Sequence, residues 1–130
     1  MVGAMSGSGM KTAMNFEGTM TTAVFLYFLQ HFLCPLLKAG DVVVMDNASV
    51  HKNEDIRTLI EATGAKLLYL PPYSPELNPI ELAWNKIKQF LRTQKARTLD
   101  ALYQAYANAL TCISQQDAKG FFNHAMRFAI

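Results

Sequence analysis

Two carboxylates and two cations are spaced so that they could act together on a phosphate chain. Asp46 lies in the string "VVVMDNASVH", Val42 to His51, where four apolar residues run into an acid, an amide and, five positions on, a histidine. Glu81 follows 34 intervening residues later, in "NPIE". Glu81, Asn85, Lys88 and Arg92 then recur at i, i+4, i+7 and i+11, one side of a helix. A carboxylate heading a stripe that turns cationic within two turns suits chemistry on a phosphate backbone. The acid holds a hard divalent cation, and the cations neutralise neighbouring phosphates. Two acids from separate elements can share metal ions about 3.5–4 Å apart, one activating water and one stabilising the leaving oxygen.

Each of these residues also has a local role open to it. Asp46 after a strand can close an Asx turn or cap the next helix. Glu81, three residues after Asn78, completes something close to a capping box. Asn47 and His51 can orient Asp46, a water or a phosphate, or serve only turn bonding. Glu76, in the loop string "SPEL", is a turn acid, and Trp84 belongs to the core. Tyr73 can pack or touch DNA. His31 and His124 lie in apolar helical settings and read as structural.

The elements that must position these residues follow from pattern and punctuation. "MVGAMS" and "MKTAMNF" flank a glycine turn and predict two strands. A helix from about Thr21 to Leu37 is apolar round most of its circumference, which predicts cover on all sides, and Gly40 closes the connection. "DVVVM" is continuously apolar, like a strand covered on both faces. "NEDIRTLIEATG" predicts a helix with acids in its first turn, apolar Ile56, Leu59 and Ile60, and Gly64 as its stop. "AKLLYLP" predicts another strand. "PPYSPELNP" is a stiff loop with four prolines. "PIELAWNKIKQFLR" predicts a helix starting at Pro79 with Asn78 as its cap, burying Ile80, Trp84, Ile87 and Leu91. Helices near Leu99–Ser114 and Asp117–Phe128 finish the chain. This order predicts an α/β fold with one mixed sheet, whose ligands gather beyond the carboxyl ends of parallel strands. Asp46 occupies such a position.

Composition sets the outer bounds. A chain of 130 residues fits one domain with a real core, and 51% apolar against 17% charged residues excludes overall disorder. Net charge is only +2, yet Lys86, Lys88, Arg92, Lys95 and Arg97 are five of the twelve cations and have no acid among them. Cys34 and Cys112 have no paired spacing and read as buried thiols, neither a disulfide framework nor a zinc site. The apolar run "TAVFLYFLQHFLCPLLKAG" is interrupted by Gln30, His31 and Pro35 and is too short for the roughly 20 residues of a membrane span. The chain also opens without the basic leader of a signal peptide.

"VVVMDNASVHK" and "LLYLPPYSPELNPIELAWNKIK" resemble the second and third catalytic blocks of the DDE transposases of the mariner-like superfamily, above all their bacterial insertion-sequence members. The resemblance runs from "MVGAM" through "IKQFL". It implies a ribonuclease H-like mixed sheet flanked by helices, and a metal-ligating set of Asp, Asp and Glu or Asp. Asp46 takes the second role and Glu81 the third. It further implies Mg²⁺, with Mn²⁺ as a substitute, and DNA as partner at transposon ends and target. Asn85, Lys88 and Arg92 are then the DNA-contacting stripe.

The first block has no counterpart. Upstream of Asp46 the acids are Glu17 and Asp41. Asp41 stands at the other end of the same strand, about 16 Å away along it. The expectation is therefore a partial catalytic domain over residues 1–130 with C-terminal helices, lacking the first strand and any N-terminal DNA-binding region. Two classes of function follow. One is metal-dependent DNA strand cleavage and strand transfer, completed by self-association or by pairing with an upstream transposase segment. The other is a non-catalytic DNA-binding or transposase-interacting remnant. Either implies a cytoplasmic, nucleoid-associated bacterial protein with no membrane partner.

Overall fold

The computed structural model describes residues 1–48 and 53–126. The glycine turn forms where the sequence places it. Strand β1 (Val2–Ser6) and strand β2 (Gly9–Met14) pair across the two-residue connection Gly7–Ser8. Gly9 takes φ 130°, a value open to glycine alone, and the Ser8 N–H donates to Ser6 Oγ at 3.2 Å. The chain then divides into two compact units, Met1–Gly3 with Thr12–Asn78, and Ala4–Lys11 with Pro79–Ile130.

In the first unit, helix α1 (Thr22–Phe28) starts at Thr21, whose Oγ1 accepts from the Val24 N–H at 3.2 Å. The single helix expected to Leu37 does not form. The coil widens to a π turn over Leu29–Leu33 and then tightens to a 3₁₀ turn over Cys34–Leu36. Pro35 is the cause: its ring clashes with the carbonyl four residues back and it has no N–H to give. The Cys34 N–H reaches Leu29 O instead, and the Leu37 N–H closes on Cys34 O at 3.1 Å. Cover is one-sided, also against expectation. Phe25, Phe28, Leu29 and Leu33 are buried, while Tyr27 and Leu36 stand exposed.

Strands β3 (Val42–Met45) and β4 (Lys66–Tyr69) run parallel, with Val42 opposite Lys66 and Met45 opposite Tyr69. Helix α2 (Glu54–Glu61) connects them. Asn53 caps it by accepting from the Asp55 N–H at 2.8 Å, and Ile56 and Ile60 are fully buried. Gly64 ends the connection at φ 89°, and a Cβ there would meet Ala39 at 3.0 Å, so glycine is required twice over. β3 is not covered on both faces as its apolar run predicts. Met45 is buried, but Val42 is 51% and Val44 49% exposed, and Leu68 of β4 is 56% exposed. The pleat sends alternate side chains to opposite faces, so Val42 and Val44 share the exposed face while Met45 is buried on the other.

The second unit is helical. Helix α3 (Ile80–Gln94) packs on helix α4 (Leu99–Thr111) and helix α5 (Gln115–Met126). Ala83, Ile87, Ala109 and Ile113 form its centre, with Met5 and Met10 of the hairpin tip, Trp84, Phe90 and Leu91 packed around them. The small alanines let the helices approach closely, and Lys95 in the left-handed region ends α3. The α/β class is therefore present. Among the described residues, however, the strands pair as two separate two-stranded sheets, and no strand bonds to both, where one mixed sheet was expected.

Candidate active-site residues

Asp46 is the first residue beyond β3, and a ladder bond closes immediately before it, with the Leu70 N–H donating to Met45 O at 2.9 Å. That pairing holds the carboxyl end of β3 against β4 and fixes where the Asp46 backbone emerges. The side chain is half-buried, and its Oδ1 accepts from the Ala48 N–H at 3.3 Å, so the Asx turn is realised. The turn bond itself takes one of a carboxylate's roughly four acceptor positions. Asn47 beside it is half-buried. His51 lies outside the described residues.

Asp41, at the opposite end of β3, is committed to a tight turn, its Oδ2 accepting from the Lys38 N–H at 2.8 Å. Glu76 is exposed in a 3₁₀ turn over Pro75–Leu77, and Glu17 is exposed after β2.

Glu81 stands exposed in the first turn of α3. Pro79 has helical angles (φ −62°, ψ −20°) and Asn78 extended ones (φ −106°, ψ 106°), which puts the proline where its missing N–H does no harm. A capping box would have the Glu81 carboxylate accept from the Asn78 N–H. That N–H instead donates to Pro75 O at 3.0 Å, within the proline-rich loop. Among the described residues Glu81 has no hydrogen-bond or ion-pair partner. Asn85, Lys88 and Arg92 continue the exposed side of α3, opposite buried Ala83 and Ile87. Asp46 belongs to the first unit, and Glu81 with its stripe to the second.

Lys86, half-buried, leaves the cationic run. Its Nζ donates to Asp117 Oδ2, and the same oxygen accepts from the Ser114 N–H at 3.1 Å while Ser114 Oγ accepts from the Asp117 N–H at 3.0 Å. This reciprocal cap starts α5, and the spacing Ser-x-x-Asp is a legible signal for it. The Lys86 ammonium, with the Ser114 N–H, holds the Asp117 carboxyl below the usual carboxylate range. The lysine that answers it lies 31 positions away and carries no such signal.

The remaining singled-out residues divide. Trp84 packs against the core. His31 and His124 are exposed rather than buried; apolar neighbours in sequence did not mean an apolar environment, because each sits on the outer side of its helix. The His31 ring lies 4.3 Å from that of Tyr27. Cys34 and Cys112 are unpaired and half-buried, and burial pushes both thiols up. Tyr73 is fully exposed, so packing is not its role here.

The donor chemistry suits a hard divalent cation. Asp46 and Glu81 offer carboxylate oxygens, and magnesium is commonly held by one or two carboxylates with water and substrate phosphate completing its shell. Among the described residues no group of three or more His, Cys, Asp or Glu side chains converges on a point. No helix is long and apolar enough to cross a membrane.

A family model described as DDE superfamily endonuclease matches residues 1–103. The chain is 32% identical over 74 residues to the Transposable element Tc1 transposase of Caenorhabditis elegans, covering 57% of this chain and 27% of that protein. It is 26% identical over 140 aligned residues to the Transposable element Tcb2 transposase of Caenorhabditis briggsae, covering 92% of this chain and 51% of the relative. The chain thus spans between about a quarter and a half of the length of these relatives.

Proposed function

Because the chain belongs to the DDE superfamily endonucleases, we propose that it is part of the catalytic domain of a DNA transposase and serves metal-dependent strand cleavage and strand transfer. The observation that carries this is the exposed stripe of α3: a carboxylate, Glu81, without a partner among the described residues, followed on the same side by Asn85, Lys88 and Arg92. The ribonuclease H-like form of the sheet and the placing among bacterial insertion-sequence members belong to the same proposal and rest on the strings around Asp46 and Glu81. So do Mg²⁺ as the ion, transposon ends and target as the DNA, self-association or an upstream segment as partner, and a cytoplasmic, nucleoid-associated place of work.

In this reading Asp46 and Glu81 hold the cation. When bound, it would lower the pKa of an attacking water and stabilise the charge on the leaving oxygen. Asn85, Lys88 and Arg92 contact successive phosphates, which positions the strand without selecting sequence. Asn47 and His51 orient Asp46, the water or a phosphate. The test is substitution in a complete protein containing this segment. Asp46→Asn or Glu81→Gln abolishes strand cleavage while DNA binding persists. Cleavage at the ordinary rate by both variants would exclude the reading.

A second reading has one observation in its favour: among the described residues no three His, Cys, Asp or Glu side chains come together. It makes the chain a non-catalytic DNA-binding or transposase-interacting protein, and it predicts that neither substitution changes any DNA transaction.

A further inference from the structure

Tyr73 breaks two local rules at once. Its side chain is 101% exposed, and its backbone sits in the left-handed region at φ 57°, where a bulky residue is rare and glycine or asparagine the ordinary occupant. Lys95 is the other non-glycine with positive φ among the described residues, and the end of α3 explains it. No α-helix ends at Tyr73.

The backbone is held in this shape from both sides. Pro71 and Pro72 before Tyr73 and Pro75 after it have fixed φ, and Pro75 also restricts Ser74. Ser74 Oγ donates to Pro72 O at 3.3 Å, and the Leu77 N–H donates to Ser74 O at 3.1 Å. Among the described residues the ring has no hydrogen bond or ring contact. The spacing Pro72-x-x-Pro75 invites comparison with a polyproline ligand. Yet φ 57° at Tyr73 and ψ 58° at Ser74 lie far from that conformation, which needs about −75° and +145°. The segment is a rigid turn with one aromatic ring at its tip.

Resting on the DNA reading above, we infer that Tyr73 is a stacking contact for an unpaired DNA base. One ring suffices to stack on one base, and every base offers a π face, so such a contact needs no sequence. The backbone that carries the ring is already restrained by its prolines, so stacking has to fix only the side-chain torsions. A protein partner fits worse: a stable interface needs roughly 800 Å² on each side, and beyond the prolines the loop offers half-buried Ser74, Leu77 and Asn78 and the exposed acid Glu76.

The experiment uses the full chain with oligonucleotides carrying 2-aminopurine, one single-stranded and one fully paired, and compares the wild type with Tyr73→Phe and Tyr73→Asn. Phenylalanine keeps the ring, and asparagine removes it while suiting the left-handed backbone, so both variants fold. The expected result is quenching of single-stranded 2-aminopurine by the wild type and Tyr73→Phe, and its loss in Tyr73→Asn, with single-strand affinity falling about five- to a hundredfold. The salt dependence of binding stays unchanged, because every phosphate keeps its cation. If Tyr73→Asn quenches and binds like the wild type, the stacking role is overturned, and the DNA reading survives so long as binding still depends on Lys88 and Arg92. If the wild type binds neither oligonucleotide, both fail. A change of oligomeric mass in Tyr73→Asn, read by light scattering, would make the ring a protein contact and overturn the inference as well.

Discussion

Single residues carry the chemistry, and Glu81 is the one whose two readings can be separated. Glu81→Gln keeps the shape and hydrogen-bonding capacity of the side chain and removes its charge. Because the Asn78 N–H is already taken by Pro75 O, this substitution is expected to change stability by less than about 0.5 kcal/mol, as an ordinary exposed site would. Cleavage by a complete protein containing this segment, in contrast, is expected to disappear. Normal cleavage combined with a lowered melting temperature would return Glu81 to the cap. Asp117 shows the opposite case, a carboxylate whose work is structural. Lys86 and the Ser114 N–H lower its folded pKa below its unfolded value. Its contribution is therefore complete at neutral pH, above the unfolded carboxylate pKa, and is lost as pH falls through the folded one. The expected result is that wild type and Asp117→Asn differ in melting temperature at pH 7 and converge in strong acid. Parallel pH profiles would show that the Lys86 contact contributes nothing.

At the scale of the element, α3 divides its cations between two tasks. Lys88 and Arg92 lie on the exposed side, while Lys86 is turned to Asp117. Replacing Lys88 and Arg92 with Ala is expected to weaken DNA binding evenly across sequences and to lower the slope of log affinity against log salt by roughly one for each phosphate left without its cation. Lys86→Ala is expected to leave that slope alone. Binding isotherms at several salt concentrations distinguish the two, and an equal fall in slope for both would mean that the exposed stripe is not the contact surface.

At the scale of the whole molecule, the strands among the described residues form two two-stranded sheets, and the proposed ligands Asp46 and Glu81 belong to separate units. Among the described residues β3 bonds β4 alone, and Val42, Val44 and Leu68 are left exposed on one face, an uncommon state for parallel strands. We expect the 130-residue chain by itself not to nick end-containing DNA with Mg²⁺ or Mn²⁺, since two carboxylates compensate the charge of a metal pair poorly. A separately expressed segment carrying a further strand with an Asp would dock by strand addition and restore nicking. Robust metal-dependent nicking by the lone chain would overturn this and send the search for a third ligand to Glu17, Asp41 and Glu76.

What the sequence determined by itself is local. The glycine turn between β1 and β2, the extent of α2 between Asn53 and Gly64, and Pro79 opening α3 all follow from caps, turn residues and periodicity. These forces act within a turn or two of the chain, so their outcome is written next to its cause. The exposed side of α3 was legible for the same reason, as was the position of Asp46 beyond a strand. Tertiary structure decided the rest. Whether both faces of β3 are covered depends on which helices reach it, and whether Lys86 faces solvent depends on an aspartate 31 residues away. The π turn before Pro35 and the left-handed Tyr73 lie between these limits: prolines mark both places, but only packing and the hydrogen bonds of the folded loop select the conformation that relieves them.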